Sequence, residues 1–305
     1  MSDRHIVVGA GPVGTSVARL LADRGSEVVV VTRRGTAVES AQSVAMDASD
    51  SDALAELTEG AVALYNCANP TDYTTWEDVW PPLARSLRLA AERTGAVLAV
   101  TGCLYPYGPV AGGRMVEGMP DAATDHKGVL RAQMWAELKE AHDAGILRAV
   151  EVRASDYMGL GVGANGHVTR VMPAALQGKT AWVVDAKDQP HSFTDVLDEA
   201  RALVAVVDRP DTWGRVWHAP TNAPRTLTEA ITQSLAAVGK SPVRVLTIPR
   251  AVTLAAGLAV PMVRELNQLS YQRTSPYVLD SSFSEKELGL APSPWEEICR
   301  RSATS

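Results

Sequence analysis

Short apolar runs alternate with amphipathic stretches along this chain. Ile6, Val7 and Val8 form an unbroken run, after which Val13, Val17, Leu20 and Leu21 recur at helical spacing until Gly25 marks an end. Val28 to Val31 supply a second run of the kind found in strands covered on both faces. The pattern then predicts a strand over 44–47, a polar helix over 50–58, a strand over 61–65 and a loop over 71–82 carrying Tyr73, Trp76 and Trp80. A helix over 83–94 follows, with Leu83, Leu87, Ala90 and Ala91 on one side, then a strand over 96–100 and a helix over 127–144. The second half reads as strand, helix and connection at 147–153, 172–176, 181–184, 196–207 and 215–219. A helix over 228–238, capped by Thr226 or Thr228 and closed by Gly239, precedes a strand over 243–248. Apolar strands separated by helices predict an α/β fold, a doubly wound Rossmann-type parallel sheet with a smaller C-terminal substrate domain. Residues 1–160 are expected to form the dinucleotide-binding domain, and 161–305 mostly the substrate domain, with segments returning to the first.

Composition narrows the partners. With 29 basic and 35 acidic residues among 305, bulk charge gives no reason to expect nucleic acid. The longest apolar stretch, 251–263, contains Gly257 and Pro261 and is too short to span a bilayer, so a buried helix, no membrane partner and a cytoplasmic location are expected. Cys67, Cys103 and Cys299 are too few and scattered for a disulfide framework or a zinc site, and no metal is expected. The flexible stretch 161–166 is either a substrate-covering loop or a surface turn.

The first candidate chemistry lies between the first strand and helix, where Gly9, Gly11 and Gly14 stand at the spacing G-x-G-x-x-G. Gly9 permits the turn off the strand, Gly11 lets backbone approach a pyrophosphate, and Gly14 allows helix and strand to close up. Pro12 and Val13 begin the helix whose free N–H groups would receive the phosphates. An acidic residue commonly closes the second strand in NAD sites, to hold the ribose hydroxyls. Here Thr32 is followed by Arg33 and Arg34, which suit a 2′-phosphate, so NADP(H) is expected in preference to NAD(H). Asp47 is placed for the adenine end, and Cys67, Ala68 and Asn69, at the end of another strand, for the cofactor crevice.

Taken together, the glycine motif, the strand ending in Tyr107-Gly108, the run VEVRASDYMGLG over 150–161, the segment HSFTDV over 191–196 and WGRVW over 213–217 resemble the extended short-chain dehydrogenase/reductase family, the branch of epimerases and dehydratases. The resemblance implies a Rossmann domain, an NAD(P) cofactor, a small or nucleotide-linked substrate and a homodimer built on helices 83–94 and 127–144. It also implies a Ser/Thr, a Tyr and a Lys, the last two as Tyr-x-x-x-Lys. This chain departs from that pattern: Cys103 takes the serine position, Thr101 lies two residues earlier, and the tyrosine segment reads DHKGVLR over 125–131. Lys127 and Arg131, one helical turn apart, are the nearest equivalents. Lys127 or Arg131 would hold the ribose while Tyr105 or Tyr157 donates the proton; alternatively Lys127 is the acid, or no redox step occurs. Cys103 is a candidate nucleophile only if His126 serves it as a base. The leading expectation is an NADP(H)-dependent oxidoreductase or epimerase with a non-standard site. The alternatives are a non-catalytic NADP(H) sensor or scaffold, and a non-redox isomerase or lyase.

Overall fold

In a strand whose two faces are both covered, consecutive side chains enter different cores. Val7, Val28, Val30, Ala63, Tyr65, Val97 and Ala99 pack on one side of the central sheet, while Ile6, Val8, Val29, Val31, Leu64, Leu98 and Val100 pack on the other. The computed structural model describes residues 3–110 and 112–304. Its first half runs β1 Arg4–Val8, α1 Pro12–Asp23, β2 Glu27–Thr32, β3 Gln42–Ala45, α2 Ser51–Thr58, β4 Ala63–Asn66, α3 Trp76–Thr94, β5 Val97–Cys103, β6 Arg114–Met115, α4 His126–Asp143 and β7 Arg148–Ala154. The second half runs β8 Asp156–Met158, α5 Met172–Ala175, β9 Ala181–Val184, β10 Phe193–Asp195, α6 Val196–Val207, β11 Val216–His218, α7 Leu227–Ala236, β12 Val245–Ile248, α8 Arg250–Gly257 and α9 Pro261–Gln268, and ends in short helices and one short strand.

Seven parallel strands form the central sheet in the order β11-β7-β5-β4-β1-β2-β3. Helices α1 and α6 cover one face, and α2, α3 and α4 the other. The fold is therefore the doubly wound α/β sheet that the apolar runs predicted. Both α6 and β11, far beyond residue 160, belong to this layer. Strand order reverses between β1 and β4, the place where ligands bind in open parallel sheets. A further core gathers α5, α7, β9 and the C-terminal helix around Met158, Phe193 and Ile231.

Two elements differ from the sequence reading. Helix α3 begins at Trp76 and carries Pro81 and Pro82 inside it, where a loop was expected up to residue 82. Trp76 and Trp80 are both buried, and the Trp76 indole donates to Pro70 O at 2.9 Å. Each indole buries roughly 150–250 Å², about 4–6 kcal/mol at 25 cal/mol/Å², which outweighs the ~3 kcal/mol cost of a proline in a helix interior. The stretch 251–263 is not a buried helix. Pro261 starts a new helix, α9, and Gly257 lets α8 pack against it: a Cβ there would lie 2.9 Å from Asn267 Nδ2. The resulting hairpin leaves Val252, Leu254, Leu258 and Val260 exposed at 54, 50, 91 and 45%.

Candidate active site

A cavity of about 820 Å³ opens beyond the carboxyl ends of the sheet strands, within the usual span of roughly 300–1,000 Å³ for ligand pockets. Gly9, Gly11, Pro12 and Val13 line one end of it. Gly9 has φ +106°, and a Cβ on it would meet Cys67 O at 2.7 Å; a Cβ on Gly14 would lie 2.1 Å from Gly9 O. Both positions therefore require glycine on packing grounds alone. Gly11 differs: its backbone is extended and no atom lies within 4 Å of the Cβ position. That open space, at the N-terminus of α1, is where a pyrophosphate would approach the backbone. The residues present thus fit a dinucleotide.

Thr32, Arg33 and Asp47 line the same end, whereas Arg34 lies outside the lining. Thr32 Oγ1 accepts from Thr36 N at 2.8 Å and so tightens the turn that carries Arg33. The Asp47 carboxyl is held below its usual range by bonds from Ser49 and, in smaller part, by Arg33. Cys67, Ala68 and Asn69 follow β4 along the crevice. Thr101 Oγ1 donates to Cys67 Sγ at 3.6 Å, yet burial pushes the Cys67 thiol up to about 12.

Beyond β5 the cavity is lined by Cys103, Tyr105 and Arg131. Burial raises the Cys103 thiol, and His126 lies at the surface, 3.7 Å from Glu77. That pairing brings no base to the sulfur. Arg131 is buried, stacks 4.5 Å over the Trp80 ring and donates to Thr101 O at 2.8 Å. Lys127, one turn earlier on α4, does not line the cavity. Its ammonium donates to Glu265 on α9 and lies 5.9 Å over the Tyr73 ring. Tyr73 and Tyr105 share a hydroxyl hydrogen bond of 3.0 Å. Burial, then Tyr73 and Asp156, holds the Tyr105 phenol well above its ordinary range, so it keeps its proton. Tyr157 also lines the cavity, and its buried hydroxyl has no hydrogen-bond partner among the described residues.

The Lys127–Glu265 pair ties α9 to α4. Lys127 is 4% exposed and Glu265 18%, so removing one charge leaves the other in a poorly hydrated site. Glu265→Gln is expected to cost about 3 kcal/mol of unfolding free energy, with partial recovery in the exchange Lys127→Glu/Glu265→Lys. Unchanged denaturant midpoints in all variants would mean that the pair carries no such weight.

Residues that the sequence reading missed line the far end: Asp156, His167, Arg170, Gln272, Arg273 and Tyr277. His167 and His191, from separate stretches of the chain, converge on Asp156 at 3.5 and 2.6 Å. Both ring nitrogens of His191 face oxygens, one on Asp156 and one on Gln272 O at 3.2 Å. Burial alone would raise the Asp156 carboxyl, but the two imidazoles hold it well below its usual range. Burial lowers His167 from 6.5 to about 4 against the pull of Asp156. Between those values the unfolded chain binds a proton that the folded chain refuses. Stability of the ligand-free protein should therefore fall as pH drops from 6.5 to 4, by on the order of 3 kcal/mol. His167→Asn should flatten that decline in denaturant titrations; an unaltered profile would assign it to other groups.

Arg273 is paired with Asp185 at 2.9 Å, while Arg170 donates to the Gly166 carbonyl at 3.0 Å and pairs with no carboxylate among the described residues. Burial lowers the Arg170 guanidinium, and Asp156 offsets this only in part because Arg273 opposes it. Asn165, from the glycine-rich stretch 161–166, lines the cavity beside them.

Fold and cavity together define a dinucleotide-binding α/β protein of the extended type. The sequence profile of the NAD dependent epimerase/dehydratase family matches residues 5–218, and the chain belongs to that family. Solved structures share the fold. The dTDP-glucose 4,6-dehydratase of Bacillus anthracis str. Ames, in complex with NAD, is 14% identical with a TM-score of 0.79, covering 99% of this chain and 96% of that one. The UDP-glucose 4-epimerase of Brucella ovis, also with NAD, is 21% identical at TM-score 0.78, covering 99% and 98%. The UDP-N-acetylglucosamine 4-epimerase of Methanobrevibacter ruminantium M1 is 15% identical at TM-score 0.81, covering 100% and 98%. A search of curated protein sequences gives no match.

Proposed function

We propose that this chain is a cytoplasmic NADP(H)-dependent oxidoreductase or epimerase acting on a carbonyl or alcohol of an anionic, small or nucleotide-linked metabolite. The observation that carries it is one continuous cavity, which joins the glycine turn to Cys103, Tyr105 and Arg170. Residues 1–160 hold the dinucleotide in this reading, and 161–305 mostly shape the substrate end. Gly9 to Gly14 receive the diphosphate, Arg33 grips a 2′-phosphate with Arg34 as an outer charge, and Arg131 takes the ribose side in place of the family lysine. A bound nicotinamide would supply or accept hydride there. Tyr105, kept protonated by burial, gives its proton to the substrate oxygen and is recharged through Tyr73. His167, which burial keeps neutral at pH 7, lines the same cavity and accepts a proton on the opposite course. Arg170 attracts a phosphate or carboxylate on the substrate. The nucleotide-sugar substrates named for the structural neighbours belong to that chemical class. A dimer through α3 and α4 completes the proposal.

Single-turnover absorbance of the NADPH-loaded protein, mixed with a panel of carbonyl compounds bearing phosphate or carboxylate, tests this reading. Bleaching of the nicotinamide band with at least one compound is expected. Tight cofactor binding without bleaching in any case would favour a sensor role, the reading that the missing family tyrosine supports.

A further inference from the structure

The α8–α9 hairpin presents two different sides. Met262 and Leu266 on α9, with Leu269 just after it, line the cavity. The opposite side exposes Val252, Leu254, Leu258 and Val260, flanked by the exposed alanines 251, 255 and 259. Eleven large apolar side chains are exposed among the described residues, and these four fall within nine consecutive positions. Two more, Trp182 and Leu246, are directly paired across β9 and β12, the strand that leads into α8 through Pro249. Clustering of this kind marks an interaction surface, since scattered exposed aliphatics need no explanation and contiguous ones do.

Charge identifies the partner. The chain as a whole carries a net charge of −6, yet residues 230–264 contain Lys240, Arg244, Arg250 and Arg264 and no Asp or Glu. All four basic residues are exposed. The next acidic residue, Glu265, is turned inward and bonded to Lys127; Arg264 lies 3.9 Å from its other oxygen, yet its side chain stays 66% exposed. Aliphatic side chains between cations, with a tryptophan nearby, are the composition of an element that lies in a bilayer interface and is drawn to anionic headgroups. We propose that the α8–α9 hairpin docks this protein on an anionic lipid surface, with Leu254 and Leu258 entering the interface and Arg250 and Arg264 meeting headgroup phosphates. The sequence expectation of no membrane partner rested on the length needed to span a bilayer. No helix among the described residues is long and apolar enough to cross one, but a surface-bound hairpin needs no span. Docking of this kind is independent of the reaction assigned above.

Co-sedimentation of the full chain with vesicles tests it, using phosphatidylcholine alone and phosphatidylcholine mixed with phosphatidylglycerol. Binding at least about tenfold tighter to the mixed vesicles is expected, weakening as salt rises. Leu254→Ser/Leu258→Ser and Arg250→Glu should each lose most of that binding while retaining the parent's thermal midpoint and dinucleotide affinity. Absence of binding to both vesicle types, or equal binding by the variants, would overturn the proposal. So would a solution dimer that Leu258→Arg dissociates, because a second copy would then cover this face.

Discussion

Gly11→Val is expected to abolish dinucleotide binding while leaving the protein folded. The position separates two demands that glycines in this turn otherwise combine. Gly9 and Gly14 are enclosed by backbone, and a side chain on either would force the turn apart. Gly11 has φ −75° and ψ −178°, a conformation open to any residue, and a Cβ there meets nothing within 4 Å. Valine would consequently fit the polypeptide and project into the cavity that Gly11 lines. Its two methyl groups would occupy the space in which the diphosphate approaches the N–H groups of α1. The expected loss is at least about 100-fold in affinity, about 2.7 kcal/mol. Calorimetric titration with NADPH measures it, and thermal unfolding supplies the control. Affinity within a fewfold of the parent would remove the glycine turn as the phosphate site.

Tyr105→Phe should lower turnover by roughly 10²–10⁴-fold, the range for removal of a general acid, with cofactor affinity unchanged. The argument is one of placement. Tyr105 lies two residues after Cys103, lines the cavity and reaches Tyr73 at 3.0 Å, while Lys127, at the family tyrosine position, is committed to Glu265. Tyr73→Phe should produce a smaller loss, because Tyr105 keeps its own proton and loses only its partner. Tyr157→Phe serves as the comparison, since that hydroxyl lines the cavity without a hydrogen-bond partner among the described residues. If turnover survives Tyr105→Phe and fails in Tyr157→Phe, Tyr157 is the proton donor instead.

The parts of the fold legible in sequence were those in which one local rule dominated. Val28 to Val31 read as a buried strand because both faces of the sheet are covered. The turn from Gly9 to Gly14 read as a phosphate loop because strand, glycines and helix follow in the required order. Thr226 read as one of two cap candidates, and it forms a full capping box with Glu229. Where rules competed, the prediction failed. A loop was expected up to residue 82, and Pro81 and Pro82 do disfavour a helix there, but burial of Trp76 and Trp80 prevailed. Apolar composition argued for burial of 251–263, yet a glycine contact and Pro261 folded it into an exposed hairpin. The far wall of the cavity was illegible because its residues meet only in three dimensions: Asp156, His191 and Gln272 are separated by 35 and 81 positions. Asp156 and His191 did carry a local signal, since they lie within the runs 150–161 and 191–196 that supported the family resemblance. The Lys127–Glu265 pair spans 138 positions, and no spacing rule connects it.

The account depends most on the cavity holding a nicotinamide dinucleotide with Arg33 on its 2′-phosphate. Calorimetric titration of the purified protein with NADPH and with NADH, repeated on Arg33→Ser, tests this directly. Tighter binding of NADPH is predicted, with a preference of at least about tenfold that Arg33→Ser removes. Equal affinities in the parent protein, or no binding of either nucleotide, would contradict it.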